Sequence, residues 1–149
     1  MTTQAAFLPL LRELVRSYQA FERYSSAHVH SLGLTAPQFD IVATLGNTPG
    51  MKAKELGERT LITKGTLTGV VDRLERKGLV RRLPAPDDGR CQIVQLTAAG
   101  QALFDTIFPA HLAHLQRAFG RLDAAQLQQA ELGLRGLRQA LSAVQEELA

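Results

Sequence analysis

The hydrophobic period of this chain breaks over one stretch in its middle, and that change limits the fold more than any other feature. Up to about residue 78 apolar side chains recur every three or four positions; over 79–97 that period is lost, and two short apolar runs flank a turn-rich stretch. Just before the change come two short amphipathic stretches. The first covers 53–59 with Leu56 inward; the second covers 63–78, with Thr63 as N-cap and Gly78 as stop. The link Thr60-Leu61-Ile62 has the length of a helix-turn-helix corner. After the change, Leu79–Leu83 and Gln92–Leu96 read as strands. The turn-rich Pro84–Arg90 between them forms the long polar tip of a β-hairpin.

Long helical patterns flank this middle. Residues 4–30 carry Phe7, Leu11, Leu14, Tyr18 and Phe21 on one stripe, widened by Leu8, Leu10 and Val15, and Gly33 ends the run. Thr35 and Gln38 form a capping box, with Leu34 and Phe39 as its hydrophobic staple. The helix they start is expected to bury Phe39, Val42 and Ala43, and Asn47-Thr48-Pro49-Gly50 to turn the chain after it. Thr97 caps a further helix with Leu103, Phe104, Ile107, Phe108, Leu112, Leu115 and Phe119 inward, kinked at Pro109. Asp123 and Gln126 form a second box, and Leu127, Ala130, Leu134, Leu137, Leu141, Val144 and Leu148 follow in three-four alternation. These stripes are too extensive for one small chain to cover while the middle also needs its own core, so a homodimer is expected. The expected fold is mainly α (α+β): a winged helix-turn-helix with long terminal dimerisation helices and a two-stranded β-wing. Residues 1–34 and 98–149 are assigned to dimerisation and 35–97 to a separate winged lobe.

Charge follows the same division. Residues 52–97 hold ten Lys/Arg and six Asp/Glu, for a net +4, while the remainder sums to −1. A basic middle on near-neutral arms suits a polyanion. With 45% hydrophobic residues the chain can build a packed core. It has no apolar run of the roughly 20 residues needed to span a bilayer. Met1-Thr2-Thr3-Gln4 lacks a basic leader, and a single Cys91 excludes an intrachain disulfide, so a cytoplasmic protein off the membrane is expected.

On a helical wheel for 63–78, Leu67, Val70, Val71 and Leu74 share one side. Opposite lie Gly65, Gly69, Asp72, Arg73 and Arg76, with Thr66 and Thr68 on the flanks and Lys64 at the start. Two glycines on a solvated helix face cost about 1 kcal/mol each relative to alanine, with no return. On a helix seated in a groove they permit close backbone approach. Threonine offers a hydroxyl to phosphate and a methyl to thymine, and arginine can bond guanine in two places. Lys64, Gly65, Thr66, Thr68, Gly69, Arg73 and Arg76 are therefore candidate contacts to double-stranded DNA. At the hairpin tip Arg90 is placed to enter a minor groove, with Asp88 expected to hold its guanidinium.

Asp88-Gly-Arg90-Cys-Gln-Ile-Val-Gln-Leu96-Thr97 resembles the D-x-R-x(5)-L-T wing signature of the MarR family of regulators. Glu55-Leu56, Asp72-Arg73-Leu74 and Gly78-Leu79-Val80 fall where that family places its helix-turn-helix residues. The resemblance covers nearly the whole chain. It implies a homodimer with interlocked terminal helices, Arg90 in the minor groove, and a small-molecule pocket between the dimerisation helices and the DNA-binding lobe. Lys52 departs from the family pattern, standing where a capping hydroxyl is more usual before the 53–59 helix. For the effector, a small molecule such as an aromatic acid, the candidate lining residues are Arg16, Tyr24 and His30.

The remaining reactive groups read as bystanders. Cys91 follows Arg90, and with Arg82 also near, basic neighbours favour a thiolate. Yet the family's oxidant-sensing members place their cysteine in the first helix, where this chain has none. His28, His30, His111 and His114 lack an adjacent carboxylate or thiol to complete a metal site, so none is assigned. No nucleophile, phosphate-cradling or H-E-x-x-H motif points to an enzyme or a cofactor. The expected function is sequence-specific regulation of transcription, as a ligand-responsive repressor dimer on a pseudo-palindromic operator. The alternatives are a redox- or metal-responsive regulator of the same fold, and a helical dimer acting only through protein partners.

Overall fold

The computed structural model describes residues 6–60 and 62–149. The readings made at Met1–Gln4 and at Leu61 lie outside them. In chain order the elements are α1 (Leu8–Ser31), α2 (Ala36–Leu45), β1 (Met51–Lys52), α3 (Ala53–Thr60), α4 (Lys64–Arg76), β2 (Val80–Pro84), β3 (Gln92–Leu96), α5 (Ala98–Phe119) and α6 (Ala124–Leu148). The chain divides into two compact units, Met1–His111 and Leu112–Ala149.

Local chemistry sets most boundaries. Leu8 follows an N-cap with no side-chain bond, so α1 begins later than its stripe suggests. Gly33 and Gly78, with φ of +83° and +75°, take the left-handed conformation just past α1 and α4. Both capping boxes form: Thr35 accepts from the Gln38 amide and Asp123 from the Gln126 amide, each answered by the glutamine side chain. Thr97 Oγ1 accepts from the Gly100 amide and donates to the Gly78 carbonyl, which ties the start of α5 to the turn after α4. Thr63 is extended at the N-cap of α4 but makes no capping bond; its hydroxyl donates to Thr66 Oγ1 instead.

The expected two-stranded wing forms as the β2-β3 hairpin, and β1 adds a third strand to its antiparallel sheet, in the order β1-β3-β2. Met51 pairs with Val94, and Val80 with Leu96. A strand of two residues is too short to show a period, and it exists only because β3 offers its other edge.

The first unit has a continuous core. Val29, Ile41, Val42, Leu45, Leu56, Leu74, Val80, Val94, Phe104 and Ile107 are all buried. On α2 the buried residues are Gln38, Ile41, Val42 and Leu45, while Phe39 and Ala43 are only half-buried, so the inward face is turned relative to the expectation. The long helices differ more. Along α1 only Val29 is buried, and α6 buries nothing. Phe7, Leu11, Val15, Tyr18 and Phe21 are exposed, as are Leu127, Leu134, Leu141, Val144 and Leu148. On α5, Phe104 and Ile107 are buried but Leu112 and Phe119 are exposed. The stripes exist as read, but a single chain leaves them uncovered.

Candidate nucleic-acid interface

Thr60 closes α3 by donating its hydroxyl to the Leu56 carbonyl at 2.7 Å. The chain re-enters helix at Lys64. Leu67, Val70, Val71 and Leu74 bury one side of α4. The opposite side is open. Lys64, Gly65, Thr66, Thr68, Arg73 and Arg76 are exposed, and Gly69 is half-buried. A Cβ at either Gly65 or Gly69 would meet nothing within 4 Å, so nothing inside the chain requires glycine there. A cleft of about 440 Å³ lies between α3 and α4, with Gly57 and Leu67 in its wall and Lys54 and Lys64 at its polar side.

The two acids of α4 are already engaged. Arg82, on β2, pairs with Asp72 at 2.7 Å and Glu75 at 3.0 Å. Arg73 therefore does not brace the helix through either acid. Among the described residues none of Lys64, Arg73, Arg76 and Arg90 enters an ion pair. The role of Arg82 was not read from sequence. The available signal was the Arg81-Arg82 pair on a strand, where neighbours face opposite ways. Arg81 accordingly turns to Gln95 on β3, its Nε donating to Oε1 at 2.7 Å.

At the wing tip the turn is built by backbone bonds. The Ala85 amide donates to the Cys91 carbonyl at 2.9 Å and the Cys91 amide to the Asp88 carbonyl at 3.0 Å. Asp88 accepts from the Arg90 amide at 3.0 Å, not from its guanidinium as expected. A carboxylate two residues back reaches the amide more readily than the end of a long side chain. Asp88 thus shapes the turn, and Arg90 is exposed. Lys52, the departure noted at the start of α3, reaches across to Asp87 at 2.9 Å. That hydrogen bond holds Asp87 below the usual carboxylate range and Lys52 above its own. Cys91 is half-buried, its thiol 3.7 Å from Asp88 Oδ2.

The effector candidates are not drawn together. Arg16 and His30 are exposed on α1, and Tyr24 is half-buried. The polar group that does assemble joins α1 to α5. His28 Nδ1 lies 2.9 Å from Nδ1 of buried His111, and Ser25 Oγ lies 3.1 Å from its Nε2. Phe39 packs against the same imidazole. Nearby in sequence, on α2, burial pushes the Asp40 carboxyl up to about 6. Among the described residues no three His, Cys, Asp or Glu side chains gather as a metal site, and no helix is long and apolar enough to cross a membrane.

A model of the MarR family matches residues 34–92, from the start of α2 through the wing turn. The chain is 30% identical over 121 residues to the HTH-type transcriptional regulator MhqR of Bacillus subtilis (strain 168), covering 81% of this chain and 83% of that protein. It is 37% identical over 92 residues to the homoprotocatechuate degradative operon repressor of Escherichia coli, covering 62% of each. Among solved structures it is similar to a mutant MarR from E. coli complexed with operator DNA, with a TM-score of 0.78 at 27% identity, covering 92% of this chain and 99% of that one.

Proposed function

Because the chain belongs to the MarR family of DNA-binding transcriptional regulators, we propose that it acts as a homodimeric repressor on a pseudo-palindromic operator and releases it on binding a small effector. The observation that carries the DNA geometry is the outward face of α4: two glycines with open space, beside Arg73 and Arg76 in no ion pair among the described residues. On this reading α4 lies in the major groove, where Arg73 and Arg76 meet base edges and Thr66, Thr68 and Lys64 meet phosphates. Arg90 follows the wing into the minor groove and senses its width more than its bases.

The exposed apolar stripes of α1 and α6 support dimerisation, because water-facing leucines in such number gain by meeting a second copy. Residues 1–34 and 98–149 form the dimerisation region and 35–97 the DNA-binding lobe. The similarity to a repressor named for homoprotocatechuate degradation supports an aromatic acid as the effector class. Arg16, Tyr24 and His30 remain the residues to test for it. Such a ligand acts by binding the DNA-incompetent state more tightly than the competent one.

The test is selection of duplexes from a random pool, followed by footprinting and light scattering. The expected result is a dimer protecting two inverted half-sites with centres about 10–10.5 bp apart. A monomer protecting one asymmetric site would overturn it.

A further inference from the structure

Arg82 belongs to strand β2 but turns its guanidinium to α4. It donates to Asp72 Oδ1 at 2.7 Å, to Glu75 Oε1 at 3.0 Å and to the Thr68 carbonyl at 3.4 Å. One side chain thus spans two turns of α4. It is the sheltered member of the group, with 19% of its side chain exposed against 46% for Asp72 and 45% for Glu75. A planar fork can serve three acceptors in this way; a lysine ammonium at the same reach cannot reproduce the geometry.

The placement bears on DNA binding through the two acids. Asp72 and Glu75 each precede an arginine of the open face, Arg73 and Arg76. Released from Arg82, they would act in two ways. They would repel phosphates lying within a Debye length, about 8–10 Å in ordinary salt. Asp72 also stands four residues before Arg76, the favourable orientation for an ion pair within a helix, and would draw that arginine out of the DNA-facing set.

We propose that Arg82 is a positioning residue for DNA binding: it occupies Asp72 and Glu75 from the wing side, so that α4 presents Arg73 and Arg76 to the duplex without competing carboxylates. This rests on the DNA-binding reading above.

The test compares four proteins: the parent, Arg82→Met, Arg82→Met/Asp72→Asn/Glu75→Gln, and Asp72→Asn/Glu75→Gln. Each is titrated by fluorescence anisotropy against the duplex the parent selects and a scrambled version, with circular-dichroism melts as the folding check. Arg82→Met keeps most of the stem and loses the charge. It is expected to weaken binding to both duplexes by roughly tenfold, a defect that shrinks as salt rises from about 0.05 to about 0.3 M. The triple variant is expected to recover to within about threefold of the parent, because the liberated acids are gone. A purely structural brace would show the opposite: the triple variant also lacks the brace and would stay weak. Parent-like binding by Arg82→Met, or a triple variant no tighter than Arg82→Met, overturns the proposal. Should Arg82→Met lose its cooperative melt, the double acid variant decides. Equal or tighter binding supports the proposal, and weaker binding overturns it, since the acids would then be helping. A parent that binds no duplex sinks the DNA-binding reading, and this proposal with it.

Discussion

The lobe formed by α2 through β3 and the helix α6 are built from the same amphipathic pattern, yet they finish differently. In the lobe the apolar faces meet one another: Ile41, Val42, Leu45, Leu56 and Leu74 are fully buried. Three of its acids are held by cations from other elements, Asp72 and Glu75 by Arg82 and Asp87 by Lys52. In α6 the leucines recur as regularly, but no residue is buried. Amphipathicity states that a face wants covering; it does not say whether the cover comes from the same chain. The lobe has a core of its own, whereas α6 displays a face that one chain leaves bare.

Equal truncations in the two regions should therefore fail differently. Leu56→Ala empties a fully enclosed site and is expected to cost about 2–5 kcal/mol of stability at any protein concentration. Leu134→Ala, where the residue is 58% exposed, should leave the folding of one chain nearly unchanged. It should instead weaken association by about 1.5–3 kcal/mol if a partner buries that leucine. The loss in melting temperature would then be seen at high protein concentration and vanish where the parent is itself dissociated. Melts over a hundredfold concentration range, with sedimentation, separate the two. A loss for Leu134→Ala that does not depend on concentration would mean that α6 is covered within its own chain.

Within the lobe the open face invites a finer contrast. Arg73→Ala is expected to cost about 1–3 kcal/mol on the selected duplex and much less on scrambled DNA. Arg90→Ala should weaken both alike and flatten the salt dependence by about one log-log unit. Isotherms at several salt concentrations distinguish them. If Arg90→Ala leaves affinity and slope unchanged, the wing does not touch DNA. Asp88→Ala now carries a different expectation from the one its spacing to Arg90 suggested. It loosens the turn that aims Arg90, through the amide it accepts from, without releasing a held guanidinium.

The smallest effect probes the one carboxylate that burial perturbs most clearly. Asp40 titrates near 6 in the folded chain against 3.8 ordinarily, so the folded state holds its proton more tightly. Stability contributed by that proton is present in full below about 3.8 and is lost as pH rises through about 6. Asp40→Asn should accordingly melt above the parent at pH near 7.5, with the gain fading toward pH 4. A gain that did not change with pH would place the cause elsewhere.

What could be read in the residues alone was whatever depends on neighbours three or four apart. The capping boxes at Thr35 and Asp123, the stops at Gly33 and Gly78 and the apolar side of α4 all belong to this class, because a helix brings such residues together wherever it lies. The D-x-R turn and the ordered motifs around it added the family. Contacts between distant parts of the chain were not legible. β1 has two residues and acquires its meaning from β3. Lys52 meets Asp87 across 35 positions, and His28 meets His111 across 83. Arg82 finds its acids only when β2 folds back along α4, and Asp88 chose an amide over the guanidinium that sequence spacing offered it. Local periodicity decides which face of a helix is apolar, because side-chain direction repeats with the backbone. Which other group fills that face, or takes a given charge, is settled by elements meeting in space, and no short-range pattern encodes that encounter.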